Sequence, residues 1–192
     1  MGKINKLKVI LKKEKLDGYI IPKNDEFFGE YIAEYKDRLK YISDFTGSYG
    51  FALILNKINY LFVDGRYTLQ ASKQSEKFFK IKTIPHTLPK NILKNKKLKI
   101  AFDPKLLTKK FLNYFFGKTN CKYISLNKNL IDKIWIRKKK SDKNKFYILP
   151  QKSVGESYTS KIKKIALKLN ELKVDFQFIT ASENNAWLLN IR

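Results

Sequence analysis

The stretch FALILNKINYLFVDG, Phe51 to Gly65, decides the architecture. Two runs dense in β-branched and aromatic residues, Phe51 to Leu55 and Asn59 to Val63, are joined through Asn56-Lys57, which predicts a β-hairpin. Asp64-Gly65 turns the chain out of it, and Tyr67 to Lys77 reads as a helix. Upstream, Ile4, Leu7, Ile10 and Leu11 recur at helical spacing, so residues 3 to 16 read as an amphipathic helix ended by Asp17-Gly18. Tyr19-Ile20-Ile21 follows as a short strand stopped by Pro22. Downstream, Phe79 to Ile84 and Leu98 to Phe102 are further strands, with Asp103-Pro104 as a stop. Thr108 can cap a helix through Phe116, and Lys122 to Leu126 is a last strand. Strands alternating with helices, plus one hairpin, predict the α/β class: a mixed β-sheet flanked by helices.

Residues 137 to 150 form the expected linker, because Arg137 to Lys145 is charged and poor in apolar residues. Beyond it the pattern restarts. Ile162, Ile165, Leu169, Val174, Asp175, Phe178 and Ile179 match Ile4, Leu7, Leu11, Leu16, Asp17, Ile20 and Ile21 at one constant offset. A helix-then-strand opening is repeated, so residues 1–136 are expected to form one domain and 151–192 the start of a second, related one. That second copy has too few elements to bury Ala186-Trp187-Leu188-Leu189, and the sequence is expected to end inside a domain.

Apolar residues make up 43 % of the 192 and aromatics 14 %, enough to fill a core. No stretch approaches the roughly 20 uninterrupted apolar residues of a membrane helix. The lysine-rich amphipathic N-terminus lacks a small-residue cleavage site and does not read as a signal peptide. Cys121 is the only cysteine, which fits a reducing cytoplasm. The net charge of +24 is carried almost wholly by lysine, with arginine only at 38, 66, 137 and 192. Nucleic-acid readers favour the planar fork of arginine. The lysines are spread along the whole chain beside heavy use of Ile, Asn, Phe and Tyr, a bias expected of A/T-rich coding. Nucleic acid is therefore not the expected partner, and lysine reads as a solvating residue.

Catalytic chemistry has little to stand on. A metal site needs several His, Cys, Asp or Glu side chains at definite spacing. There is one histidine, His86, which reads as a loop residue between Pro85 and Thr87; there is no HExxH, CxxC or Asp-x-Asp. A Ser-His-acid triad would have to recruit His86, and no serine sits in a GxSxG elbow. Gly47-Ser48-Tyr49-Gly50 lacks the Lys-Ser/Thr of a phosphate loop and reads as a turn before the Phe51 strand. No catalytic residue and no metal ligand is assigned to this chain, and no cofactor is expected on it.

One dense cluster remains: Arg38, then Tyr41-Ile42-Ser43-Asp44-Phe45-Thr46-Gly47-Ser48, the hairpin, and Asp64-Gly65-Arg66-Tyr67-Thr68-Leu69-Gln70-Ala71. This resembles the creatinase/prolidase N-terminal domain, and most closely the Xaa-Pro aminopeptidase branch. The sequence departs from that pattern at Asp44, usually Gly, and at Thr68, usually aromatic. Tyr19-Ile20-Ile21-Pro22 with Asp25 and Glu30-Tyr31 is similar to the family's opening strand and loop. Leu130-Ile131-Asp132-Lys133-Ile134-Trp135 resembles the close of its first domain. Gly155-Glu156-Ser157 with Lys161, and Ala186-Trp187-Leu188-Leu189-Asn190-Ile191-Arg192, resemble phrases of its second.

The resemblance implies a parent metallo-exopeptidase that removes the N-terminal residue preceding proline, using two divalent metals, usually manganese, held in a catalytic domain absent here. It implies that the front domains wall the active site and support a homodimer in the cytoplasm, and that the substrates are peptides with proline second. It maps a peptide-contacting arginine onto Arg66. Asp64-Gly65 ends a strand, and strand ends face the crevice where α/β folds bind ligands, so a guanidinium there can fork onto a carbonyl or carboxylate. Arg66 can equally pair with Asp64, Asp44 or a carbonyl and orient the turn, while Asp64 is expected to cap the helix that follows. Two other readings stay open: a stand-alone, non-catalytic peptide-binding relic of the family, and a basic nucleic-acid-binding protein.

Overall fold

The structure, a computed structural model, describes residues 2–29, 31–137 and 145–192. Its elements in chain order are α1 (Lys3–Lys13), β1 (Gly18–Pro22), α2 (Arg38–Ser43), β2 (Gly50–Leu55), β3 (Asn59–Asp64) and α3 (Thr68–Ser75). There follow β4 (Lys80–Ile84), α4 (Pro89–Leu93), β5 (Lys99–Phe102), α5 (Lys109–Phe116), β6 (Lys122–Ser125), α6 (Leu130–Ile134), α7 (Tyr158–Glu171) and α8 (Ser182–Leu189). The described residues fall into two units, 2–26 with 31–137, and 27–29 with 145–192.

The first unit is built on the predicted hairpin. β2 pairs antiparallel with β3, Phe51 opposite Phe62 and Leu53 opposite Tyr60. The six strands lie in the order β4-β3-β2-β1-β5-β6, and β2 alone runs against its neighbours. Successive strand residues point to opposite faces, and both faces are dry. On one, Tyr19, Ile21, Ala52, Ile54, Leu61 and Val63 meet α1, α2, α3 and α6. On the other, Ile20, Phe51, Leu53 and Phe62 meet α4 and α5. Phe51 stacks on Phe62 with ring centroids 4.9 Å apart and takes the edge of Phe115 at 4.9 Å. Burying a side chain of that size contributes about 1.5–3 kcal/mol.

Several boundaries differ from the sequence expectation, for physical reasons. α1 stops at Lys13, not residue 16, because Lys15 adopts the left-handed conformation that closes helices and Leu16 N–H reaches back to Leu11 O. Gly18 does not end that helix; it opens β1, where a Cβ would stand 2.6 Å from Leu55 Cδ2 and 2.9 Å from Ile54 O. Pro22 does not lie beyond β1 but is its last residue, opposite Phe51. α2, α4 and α6 were not expected. They have six, five and five residues, too few for periodicity to be read. End groups hold them instead: the Asp37 carboxylate accepts Lys40 N–H, Pro89 opens α4, and the Asn129 side chain accepts Ile131 N–H.

In the second unit, α7 forms as predicted, but Phe178-Ile179, the counterpart of Ile20-Ile21, is not in a strand. β1 is hydrogen-bonded on both sides by β2 and β5, whereas Phe178-Ile179 has no described strand beside it to satisfy its backbone. Phe176 and Phe178 are 79 % and 85 % exposed. The order that exists comes from Lys161, buried at 7 % exposure. Its ammonium donates to Trp187 O and Asn190 Oδ1, both at 2.7 Å, and sits 4.1 Å from the Trp187 ring. Asn190 Nδ2 donates to Glu156 O at 2.9 Å. The two motif phrases of this unit are thus tied together by one lysine and one asparagine. Of the expected linker, residues 138–144 lie outside the described residues.

Candidate functional site

The two halves of the Arg38–Ala71 cluster fold into one corner at the carboxyl end of β3. Thr46 N–H donates to Gln74 Oε1 at 3.0 Å, and Gln70 Nε2 donates to Thr46 Oγ1 at 2.8 Å. Ser75 Oγ donates to Ser43 O at 2.7 Å, and Ala71 is wholly buried. The segment 43–50 is therefore hydrogen-bonded to one face of α3. Gly47 lies against two rings: a Cβ there would stand 2.2 Å from Phe45 Cζ and 2.8 Å from Tyr67 Cδ1. Tyr67 packs edge-on to Phe45 and shares a 2.7 Å hydrogen bond with Ser48 Oγ.

Arg66 stands on the turn Gly65–Tyr67 between β3 and α3. Asp64 Oδ1 accepts Arg66 N–H at 2.9 Å, so Asp64 caps this turn rather than α3 itself. The guanidinium doubles back on the same carboxylate, with Nη2 2.7 Å from Oδ2 and Nε 3.2 Å from both oxygens. Its hydrogen bonds hold the Asp64 carboxyl below the usual carboxylate range. The Arg66 side chain is 74 % exposed, its Cζ lies 5.3 Å from the Tyr67 ring centre, and Nη1 has no hydrogen-bond partner among the described residues. Asp64 thus fixes one edge of the fork and leaves the other open to solvent. Burial and the Asp64 charge raise the neighbouring Tyr49 phenol, keeping it a donor.

Arg38, also part of the motif, is turned inward. It is 5 % exposed at the start of α2. Nε and Nη2 fork onto Asp132 of α6 at 2.8 and 2.9 Å, and Nη2 also donates to Glu26 Oε1 at 2.9 Å. Arg137 joins Asp132, and Lys36 meets Glu26 at 3.0 Å. Burial works to raise the Glu26 carboxyl, but its own backbone N–H, the hydrogen bonds of Lys36 and Arg38 and the Arg38 charge bring it down to about 2. Asp132 is likewise lowered against its burial by Arg38 and Arg137. The cluster borders a crevice of about 340 Å³ beyond the carboxyl ends of β1, β5 and β6, shared with Asp103 and Asn129. Asn129 donates to Asp103 at 2.9 Å, and the Arg38 fork on Asp132 holds α2 to α6. No sequence signal joins the two, because Arg38 and Asp132 lie 94 residues apart.

His86 is exposed in a turn. Among the described residues no three His, Cys, Asp or Glu side chains converge to hold an ion, so the donor set here does not fit the metals implied by the resemblance. No helix of the described residues is long and apolar enough to cross a membrane.

Comparison with known proteins places this corner in context. Residues 3–134 match one family description, the Creatinase/Prolidase N-terminal domain, and residues 137–192 match a second of the same name. Over 99 % of its length the chain is 32 % identical to Xaa-Pro aminopeptidase 1 of Dictyostelium discoideum, covering 33 % of that protein. It is 31 % identical, again over 99 % of its length, to a probable Xaa-Pro aminopeptidase P of Laccaria bicolor, of which it covers 31 %. The chain thus spans about a third of the length of the curated relatives it matches. Among solved structures, the X-prolyl aminopeptidase of Caenorhabditis elegans, described as a cytosolic enzyme with a di-nuclear active site, superposes with a TM-score of 0.81. Identity there is 25 %, over 99 % of this chain and 34 % of that one. The N-terminal domain of a Mycobacterium tuberculosis cytoplasmic peptidase shares the fold, with a TM-score of 0.53 at 20 % identity over 69 % of this chain and 98 % of that one. The chain belongs to the creatinase/prolidase N-terminal domain family.

Proposed function

We propose that this chain is the non-catalytic front part of a cytoplasmic, metal-dependent Xaa-Pro aminopeptidase that removes the N-terminal residue preceding proline. The observation that carries the reading is the end-to-end likeness to Xaa-Pro aminopeptidases, with Arg66 presented on the turn after β3. Residues 1–136 form its first domain, 137–150 the linker and 151–192 the beginning of the second. The parent enzyme takes two divalent ions, manganese in preference, on ligands supplied outside this chain, where they supply an activated water and polarise the scissile carbonyl. Its front domains wall the site against bulky substrates and support a homodimer.

On this chain, Arg66 has one task. Asp64 holds the guanidinium by Nε and Nη2, and the free Nη1 edge donates to a carbonyl or carboxylate of the bound peptide. The exposed apolar residues of the second unit, Phe176, Phe178 and Trp187, are covered by the rest of that domain in the complete enzyme. The experiment is to express the full reading frame and compare release of the first residue from matched Xaa-Pro and Xaa-Ala peptides with manganese. The expected result is cleavage of the proline peptide alone. Equal cleavage of both, or of neither in a folded protein, overturns the assignment.

A further inference from the structure

The lysines scattered along the sequence are gathered by the fold. Five of the six strands run parallel, so the loops entering β1, β3, β4, β5 and β6 open at one end of the sheet. Those loops, residues 14–18, 56–58, 76–80, 94–99 and 117–122, carry ten lysines and three acids. One of the acids is paired with a cation outside these loops and the other two accept neutral hydrogen bonds. Glu14 meets Lys133 Nζ at 2.5 Å, Asp17 accepts Lys99 N–H at 2.8 Å, and Glu76 accepts the Ser72 hydroxyl at 2.6 Å. None of the ten lysines forms an ion pair with a described residue, and all but the half-buried Lys96 are exposed. The opposite end is mixed. There Asp25 follows β1, Asp64 ends β3 and Asp103 follows β5, Lys23 and Arg66 are tied to Asp37 and Asp64, and Lys105 and Lys128 form no ion pair with a described residue.

The geometry of the basic end points to one class of partner. In strand order, Lys80 enters β4, Lys57 sits on the β2–β3 turn, Lys15 precedes β1, Lys99 opens β5 and Lys122 opens β6. Five strand spacings separate the first from the last, so the row is about 24 Å long. A strand at the duplex rise of about 3.4 Å would lay roughly seven phosphates along it. No arginine stands in these loops, so there is no bidentate fork to read bases. Beside the row, Phe78 is 56 % exposed, with Lys77 Nζ 5.4 Å from its ring. One aromatic ring adds little apolar area for a bilayer, but it offers a stacking face to an unpaired base.

We propose that this end of the sheet binds single-stranded nucleic acid through its phosphates, without regard to sequence. The proposal is independent of the peptidase reading, because the row lies at the end of the sheet opposite Arg66. The even spread of lysine that argued against such a partner holds along the chain and not in space.

The test titrates the chain into a fluorescent oligothymidylate of about a dozen nucleotides and follows anisotropy over a range of salt. Affinity is expected to fall with salt at a log–log slope of about −0.7 per phosphate contacted. K57Q/K77Q/K97Q/K99Q should weaken binding at least tenfold and flatten the slope by roughly 3. A control with the same charge change at the other end, K105Q/K109Q/K110Q/K128Q, should move affinity less than threefold. Phe78→Ala, which alters no charge, should weaken oligonucleotide binding about fivefold or more. Equal weakening by the two lysine sets means diffuse net charge and overturns the proposal. So does binding to phosphatidylserine vesicles with none to the oligonucleotide.

Discussion

Arg38→Met is expected to destabilise the first unit by about 3 kcal/mol, the scale on which removing one partner of a buried ion pair acts. The guanidinium is nearly inaccessible and serves two carboxylates on separate segments, Glu26 after β1 and Asp132 on α6. Methionine fills much of the volume but leaves both acids short of their partner, so packing alone does not rescue the variant. Arg38→Lys should recover only part, since an ammonium cannot fork onto Asp132. The acid limb supplies a second readout. Glu26 sits at about 2 in the folded chain against an ordinary 4.5, so its contribution is complete above pH 4.5 and is lost as pH falls towards 2. Asp132, also lowered, contributes with the same sign. Stability of the native chain should therefore fall across that window, and the fall should be shallower in Arg38→Met. Urea midpoints between pH 2 and 7 measure both effects. A loss under 1 kcal/mol with an unchanged acid limb would show that the cluster does not hold α2 to α6.

In the complete enzyme, Arg66→Ala is expected to lower kcat/KM about ten- to a hundredfold, the loss of a charge-assisted hydrogen bond of about 1.5–3 kcal/mol. The split between KM and kcat reports whether the contact is made to the bound peptide or only in the transition state. Arg66→Lys should rescue part of the activity. Asp64→Asn should mimic a fraction of the loss, because it removes the carboxylate that holds the fork in place. Melting temperature should scarcely move in Arg66→Ala, since the side chain is mostly exposed. If kcat/KM is unchanged while the melting temperature falls, Arg66 serves only to orient its turn.

The hairpin was legible because Phe51–Leu55 and Asn59–Val63 are short β-prone runs joined through Asn56-Lys57. α2, α4 and α6 were not, because a five- or six-residue helix is set by its cap and by what it packs on. The strand expected at Phe178-Ile179 failed for a related reason. Propensity there matches that of β1, but a strand is made by its neighbours, and none is described. At the candidate site, motif residues identified the corner but not its geometry. That Arg66 is half engaged by Asp64 follows from a turn closing over two residues. That Arg38 is spent on structure depends on Asp132, 94 residues away, and no local pattern connects them. The lysine row has the same origin, since parallel topology alone brings those loops to one end.

That catalysis lies outside this chain can be checked by incubating the purified 192 residues with manganese and an Xaa-Pro-containing tripeptide and measuring release of the first residue. No turnover above the metal-only control is expected, at any manganese concentration. Turnover that co-purifies with the chain and disappears on chelation would contradict it.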